Sequence, residues 1–449
     1  MENSLQAART EIITLNNIQK DINFVPSDEE KIYSVFDPVL FRTTFYVKSD
    51  ILHEINSQTN NTFIFKIENI PFHTLLKTSL IFDLPEVSLK EEYQEDYELC
   101  YCTNIGTNLI KSGDFIVDNN HLGVRLNPIF FDVYIQHLCK KRGNFLRSIG
   151  NHLNIFRKNK LPAVKLSIRQ PFYYTKDTVM AFPIIYTNKS NDISFKYEIR
   201  QQLANYVRLR RKLKADELHL TGVQYDNGYE YIDGSKVHEY LQEGNTIKPG
   251  IPSLINRYGY LPVQKEDDKK CQDIPDYFIQ GNLLIPFDNF NFSATTASKR
   301  FTNPAANTAM FVLAENFLAK KFNNYSNYTD NVHHIEQGDY PIRQITLKYD
   351  ESNIRLDNLP VEYFTLNCAD DFPKSAIHNG YIPYSFARDI DNIVEADVSV
   401  CFKESTELKC VLEKAHEYKY QLYILMLNYQ KLSISYDKRK ELYKYVLTK

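Results

Sequence analysis

The chain has 449 residues, with 32 Tyr, 28 Phe, no Trp and a net charge of −3. That length exceeds one small core and suggests roughly two or three domains. The near-balanced charge argues against wholesale nucleic-acid binding, which needs a basic excess to neutralise phosphates. Tyr, Phe, Ile and Thr favour pleated, half-buried surfaces, and 14 Gly and 18 Pro spread along the chain supply turns. The composition therefore predicts an all-β protein. Tyr also suits large interfaces, because its ring buries area while its hydroxyl stays hydrogen-bonded. Seven Cys, an odd number, give no secreted disulfide framework. No segment reaches the roughly 18 consecutive apolar residues of a membrane-spanning helix. Residues Met1 to Gln6 lack a signal-peptide pattern. The expectation is an intracellular, reducing compartment in which all seven Cys are thiols.

Residues 1–30 are polar, with a weak amphipathic pattern at Leu5, Ala8, Ile12 and Leu15, and read as an N-terminal arm. From Phe41 the pattern turns to β. Leu76, Thr78, Leu80, Phe82 and Leu84 share one face of a strand, Lys77, Ser79 and Asp83 the other, and Pro85 ends it. Lys90 to Glu98 reads as a solvated acidic loop. Leu109-Ile110 and Phe115–Val117 follow, closed by an Asp118-Asn119-Asn120 turn. Mixed periodicity over 131–157 predicts a helical excursion between strands. Ala163–Ile168 and Ile193–Ile199 read as strands, the second alternating cleanly. The basic run Arg208, Arg210, Arg211, Lys212 and Lys214 reads as a solvated linker between two β-rich halves. Beyond it, long loops are expected at Asn245–Pro262 and Lys265–Pro275, and strands around Leu283–Phe287, Ala309–Ala314, Ile342–Tyr349, Tyr381–Ala387, Val398–Phe402 and Tyr418–Tyr429. The longest apolar run, Leu422 to Leu427, is strand-length. No short repeat is present; the suggestive period is the half-chain itself, two β-sandwiches in tandem. The domain expectation is an arm at 1–30, a first sandwich at 31–213 and a second at 214–449.

Catalytic signatures are poor. The chain has no Gly-rich phosphate loop, no Gly-x-Ser-x-Gly elbow and no His-Glu-x-x-His. Cys100-Tyr101-Cys102 offers two thiols, but no second Cys/His pair lies at zinc-site spacing, so two small buried side chains is the better reading. Adjacent His333-His334 would point to opposite faces of a strand, which suits chelation poorly. Asp389-Ile390-Asp391 has the spacing of a nucleotide-sugar metal motif, yet a loop after a strand explains it better. The Tyr-rich Asn323–Tyr328 reads equally as a sugar or receptor site and as an exposed turret. Sequons stand at Asn60, Asn188, Asn291, Asn324 and Asn327, as chance allows in an Asn-rich chain. The expected catalytic, cofactor-binding and metal residues are none.

Several segments, in order, resemble one family. Asn104-Ile105-Gly106 and Leu109-Ile110-Lys111-Ser112 are similar to a strand-turn-strand near the start of its first barrel. There Asp118-Asn119-Asn120 replaces a Gly-Gly turn, and Asn and Asp tolerate the left-handed geometry. Val164-Lys165-Leu166 through Pro171-Phe172-Tyr173-Tyr174, then Ala181–Ile185, resemble that barrel's later paired strands, with Tyr173 near the family's usual Trp. Ile382-Pro383-Tyr384-Ser385-Phe386-Ala387 resembles an aromatic Tyr-Ser-Phe strand. Glu395–Phe402 stands where the family has a Pro-Ser-Gly turn and an Asn-Phe-Ser strand, and lacks that Gly and Pro. Tyr423–Tyr429 resembles the closing strand.

Together these resemble the double jelly-roll major capsid proteins of nucleocytoplasmic large DNA viruses. The resemblance implies two tandem eight-stranded jelly rolls with short helical insertions, and a homotrimer forming a pseudo-hexameric capsomer of an icosahedral shell. It implies no enzyme activity and no cofactor. Implied partners are further copies, minor capsid proteins and an internal viral membrane, without sequence-specific nucleic-acid contact. The implied location is the virion and its assembly site in the host cytoplasm. The related poxvirus scaffold proteins, which build a temporary lattice, are the runner-up. A β-sandwich carbohydrate-binding or adhesion module is a further alternative, disfavoured by the absence of Trp.

Overall fold

The computed structural model describes residues 47–68, 72, 74–175, 181–184, 187, 193–260, 277–287, 296–348, 354–376, 378, 380–387, 390, 400–412, 420–437 and 442–448. The N-terminal 1–30, Asp389, Asp391, Asn188, Asn291 and most of Glu395–Phe402 lie outside these residues.

Two five-stranded antiparallel sheets build the first sandwich. One runs in the order Val47–His53, Ser253–Tyr260, Thr74–Leu84 and Val164–Arg169, with Phe182–Pro183 also paired to Thr74–Leu84. The other runs Ser57–Thr59, Thr62–Ile67, Ile193–Ile199, Ile110–Val117 and Asn120–His121. Period-two patterning sets which face is inside. Leu76, Thr78, Leu80, Phe82 and Leu84 are buried, while Lys77, Ser79 and Ile81 are half-buried and Asp83 is exposed. Between the sheets the rings of Phe115 and Phe195 stack at 5.0 Å, and Phe182 from the opposite sheet meets Phe115 edge-on at 5.1 Å. The turn after Ile110–Val117 places Asp118 and Asn119 at φ of 49° and 62°, the left-handed geometry their side chains tolerate. Helical segments Pro128–Val133, Tyr134–Leu138, Arg142–Ser148 and Asn151–Leu153 fill the expected excursion.

The second sandwich is one hydrogen-bonded network of eight strands. Its order is Tyr277–Pro286, Tyr420–Asp437, Thr296–Asn316, Val400–Leu412, Ile342–Lys348 and Ile354–Pro360. Tyr381–Ser385 adds to Thr296–Asn316, and Leu442–Thr448 adds to Tyr420–Asp437. Thr296–Asn316 spans 21 residues and changes partner midway. Its first half pairs with Val400–Leu412, its register shifts between Phe301 and Ala309, and its second half pairs with Tyr381–Ser385. Such irregularities bend a strand and let it turn a corner between layers.

The two sandwiches share buried surface. Ala309, Phe311, Leu313, Leu425 and Leu427 join the core of the first. Met310, Val312, Ala314, Ile424 and Met426 fill the core of the second. These two central strands are therefore buried on both faces. This explains why Leu422–Leu427 is continuously apolar rather than alternating.

Five segments differ from the sequence expectation. Val207–Lys212 is a strand, not a linker, and lies in a third sheet between Tyr229–Tyr231 and Tyr97–Tyr101. That sheet also takes the end of the supposed acidic loop, since Glu98 is inside Tyr97–Tyr101. Leu109 ends a short helix, Ile105–Leu109, instead of starting a strand. Tyr423–Tyr429 is not the closing strand, because Tyr420–Asp437 continues and Leu442–Thr448 folds back on it. The expected loop Asn245–Pro262 contains a strand, Ser253–Tyr260, whose alternating Leu254, Asn256 and Tyr258 are buried; it sits between Val47–His53 and Thr74–Leu84, so the first sandwich draws on chain well beyond residue 214.

Candidate functional site

The chemically densest place in the molecule is the seam between the two sandwiches. Its central element is the helix Pro128–Val133 with its continuation Tyr134–Leu138. Pro128 sits at the first turn, where its missing N–H is not needed, and Asn127 Oδ1 accepts from the Phe130 amide at 2.9 Å. Ile129, Phe130, Phe131, Val133 and Ile135 are buried and hold the helix in place. That leaves Asp132 inside the protein. Its Oδ1 accepts from Asn104 Nδ2 at 3.1 Å and from Ser326 Oγ at 2.9 Å, and its Oδ2 accepts from the Tyr328 hydroxyl at 2.9 Å. Asn104 belongs to the first sandwich; Ser326 and Tyr328 belong to the loop before strand Ile342–Lys348. Burial pushes the Asp132 carboxyl up to about 7, and the three donors oppose that rise without overcoming it.

His137, on the same helical segment, is buried against Phe311, Phe372 and Tyr381 at ring distances of 5.3, 5.5 and 6.1 Å. Burial drives its ring down to about 3, so it is neutral at ordinary pH. Further polar ties cross the seam. Asn282 and the Arg125 backbone exchange two hydrogen bonds at 2.9 and 3.0 Å. Asn108 Nδ2 donates to Ser326 Oγ at 2.9 Å, and Asn323 Nδ2 donates to the Val207 carbonyl at 2.8 Å.

The residues singled out by sequence are scattered about this seam. Cys100 and Cys102 are fully buried; the Cys100 thiol lies 3.6 Å from Asn154 Oδ1 and is pushed up to about 11 by burial. His333 is stacked on Tyr231 at 3.8 Å and its Nε2 lies 2.7 Å from the Val223 carbonyl, whereas His334 Nε2 meets Asp226 at 2.7 Å. The two rings thus face different partners. Among the described residues, no three His, Cys, Asp or Glu converge as metal ligands do.

The arginines of Val207–Lys212 are internally engaged, contrary to a solvated crossover. Arg208 donates to the His333 carbonyl at 3.0 Å. Arg210 bonds Glu98 at 2.7 Å, and its guanidinium lies 3.9 Å from the Phe156 ring and 3.8 Å from that of Tyr229. Arg211 bonds both Glu217 and Glu230. Asn323–Tyr328 is likewise no exposed turret: Asn323, Asn324, Ser326, Asn327 and Tyr328 are all buried. The sequons at Asn324 and Asn327 are buried with it, while Asn60 sits on an exposed turn with φ of 53°.

Sequence reasoning missed Asp132 and His137. The only available signal was an Asp and a His inside an otherwise apolar helical stretch. It also missed three exposed apolar side chains, Ile155 and Leu218 at 61% and Val223 at 46%.

No protein-family model and no curated protein matches this chain. Solved structures do. A chain of the PBCV-1 virus capsid matches with a TM-score of 0.61 at 13% identity, over 86% of this chain and 94% of that one. The Faustovirus major capsid protein matches with a TM-score of 0.60 at 10% identity, over 97% and 99%. A chain from the cryo-EM structure of the Sputnik virophage matches with a TM-score of 0.57 at 10% identity, over 89% and 88%. The chain has the fold of the double jelly-roll capsid proteins: two antiparallel β-sandwiches in tandem, with short helices between strands.

Proposed function

We propose that this protein is a major capsid protein. The observation that carries the reading is the whole-length match in fold. The match covers 97% of this chain and 99% of the Faustovirus major capsid protein. Each chain then contributes two similar barrels. Three chains place six barrels around one axis, a unit that packs like a hexagon while its true symmetry is threefold. Such homotrimers tile an icosahedral shell, located in the virion and assembled in the host cytoplasm. No catalytic, cofactor or metal role is assigned to Cys100, Cys102, His333 or His334; the burial of Cys100, Cys102 and His333 and the different partners of the two His support structural roles. The division between the two barrels is assigned after Tyr260 rather than near 214, and the pairing of Ser253–Tyr260 within the first sheet supports this.

Measurement of native mass on the purified chain tests this reading. A trimer near three times 52.6 kDa is expected, with little free monomer. A stable monomer at micromolar concentration would exclude it. Finding the chain in mature shells separates a permanent coat from a temporary scaffold.

A further inference from the structure

Asp132 and His137 project from one helical segment toward the second sandwich and meet it in opposite ways. The Asp132 carboxyl group is gripped by hydroxyls of Ser326 and Tyr328 from the second sandwich and by the Asn104 amide from the first. Among the described residues neither ring nitrogen of His137 has a well-formed hydrogen bond, the Lys374 backbone being the one polar group close to the ring, and its surroundings are the aromatic rings of Phe311, Phe372 and Tyr381. A neutral carboxyl suits a water-free site better than an anion does. A buried imidazolium among aromatic rings, without a charge partner, is disfavoured. Ser326 and Tyr328 can each turn a hydroxyl to receive a carboxyl proton, so the Asp132 grip survives protonation.

We propose that this helical segment is a proton-compensated pin between the two sandwiches. Acid tightens its Asp132 end and loosens its His137 end, so the joint keeps its strength over a pH span in which either group alone would change it.

The surroundings act in the same sense. Glu315, on strand Thr296–Asn316, opposes ionisation of Asp132, and the nearby Tyr328, Tyr381 and Cys102 are held neutral by burial. Arg142 opposes a second cation at His137, and the backbone of Lys374 favours that cation only weakly. His378, near Arg142, is also kept neutral by burial. Folded Asp132 holds its proton up to about pH 7, against 3.8 ordinarily. Its contribution is complete below 3.8 and is lost as pH rises through 7. Folded His137 resists protonation down to about pH 3, against 6.5 ordinarily. Its contribution is complete above 6.5 and is lost as pH falls toward 3. Between 3.8 and 6.5 the two slopes oppose each other.

Urea unfolding of the full chain across that span tests the pin, using wild type, Asp132→Asn and His137→Leu. Relative to wild type, Asp132→Asn is expected to lose stability as pH falls and His137→Leu to gain it. Each relative change is expected to reach up to about tenfold in the folding equilibrium constant per pH unit. The comparison with wild type removes the shared contributions of His333 and His378. Slopes parallel to wild type for both variants, or deviations of the same sign, overturn the proposal. If a variant fails to fold, amide exchange in the wild-type segment 128–138 decides. Equal protection at both ends of the span supports the pin, and loss of protection at either end overturns it. The outcome is independent of the capsid reading, since it concerns one chain's own seam and not its assembly.

Discussion

Gly380 has little freedom to change. Its φ is +97°, and a β-carbon there would collide with the Tyr328 backbone carbonyl. That close approach seats strand Tyr381–Ser385 against the loop whose Tyr328 hydroxyl binds Asp132. Gly380→Ala is expected to destabilise the fold by about 3 kcal/mol, combining backbone strain with overpacking. Denaturant titration reads this directly, and an unchanged midpoint would show that the loop yields without strain. The thiols make a second residue-scale case. Cys100, Cys102, Cys139, Cys368 and Cys410 are buried and unpaired. Burial raises Cys100 to about 11 and Cys410 to about 12, so neither carries thiolate at neutral pH. In native buffer these five are expected to react slowly with iodoacetamide, and fully once unfolded without reductant. Rapid native labelling of Cys100, followed by mass spectrometry, would contradict its burial. Single-residue turn chemistry was legible in the sequence at Asp118-Asn119. The Asn323–Tyr328 loop was not. Its Asn and Ser side chains look like solvent-facing groups, but they hydrogen-bond inside the protein, the Asn chiefly to backbone and Ser326 to Asp132. Asn327 Oδ1 takes the Thr329 amide and hydroxyl, and Asn324 Nδ2 reaches the Val332 carbonyl. Side-chain bonding of this kind satisfies buried backbone without regular secondary structure, and no periodicity announces it.

At the level of elements, alternation found the strands buried on one face and was weaker elsewhere. Thr74–Leu84 and Ile193–Ile199 were readable because polar and apolar residues take turns. Val207–Lys212 was misread because its charges suggested solvent, whereas each arginine has a partner the sequence does not place next to it. Arg210 is the clearest example: Glu98 lies on the neighbouring strand, Tyr229 on the other neighbour and Phe156 on the helical excursion. Both members of the Arg210–Glu98 pair are mostly shielded from water, at 18% and 23% side-chain exposure. Removing one member leaves the other partly buried without its charge partner. Arg210→Ala is therefore expected to cost roughly 2–3 kcal/mol, more than an exposed ion pair, through lost ring stacking as well as lost charge. Arg210→Lys should recover only part of this, because an ammonium lacks the flat faces that two rings can sandwich. Thermal or urea midpoints of the two variants check it; equal stability of the Lys variant and wild type would mean that stacking contributes nothing.

The whole molecule is two sandwiches by topology but not by packing. The strands Thr296–Asn316 and Tyr420–Asp437 give alternate side chains to two different cores, Phe311, Leu313, Leu425 and Leu427 to one and Met310, Val312, Ile424 and Met426 to the other. Tandem organisation was legible as two β-rich halves. The division between them was not, since Ser253–Tyr260 looks like second-half chain yet completes a first-half sheet. That crossing has a thermodynamic consequence. Domains joined by a small polar contact unfold separately, whereas halves that complete each other's cores cannot lose one without exposing apolar surface of the other. The isolated second half would expose Phe311, Leu313, Leu425 and Leu427, and the isolated first half would lose the cover over Leu254 and Tyr258's core. Calorimetry of the full chain is expected to show one cooperative transition, with the calorimetric and van't Hoff enthalpies in agreement when protein concentration is held fixed. Splitting the chain within 261–276 is expected to give halves that aggregate alone and regain solubility when co-expressed. Two resolved transitions, or a soluble second half, would mean that the doubly buried strands are less essential to the first core than their alternation indicates. The shared core holds the two sandwiches in fixed relation, with a stiffness that a flexible linker could not supply.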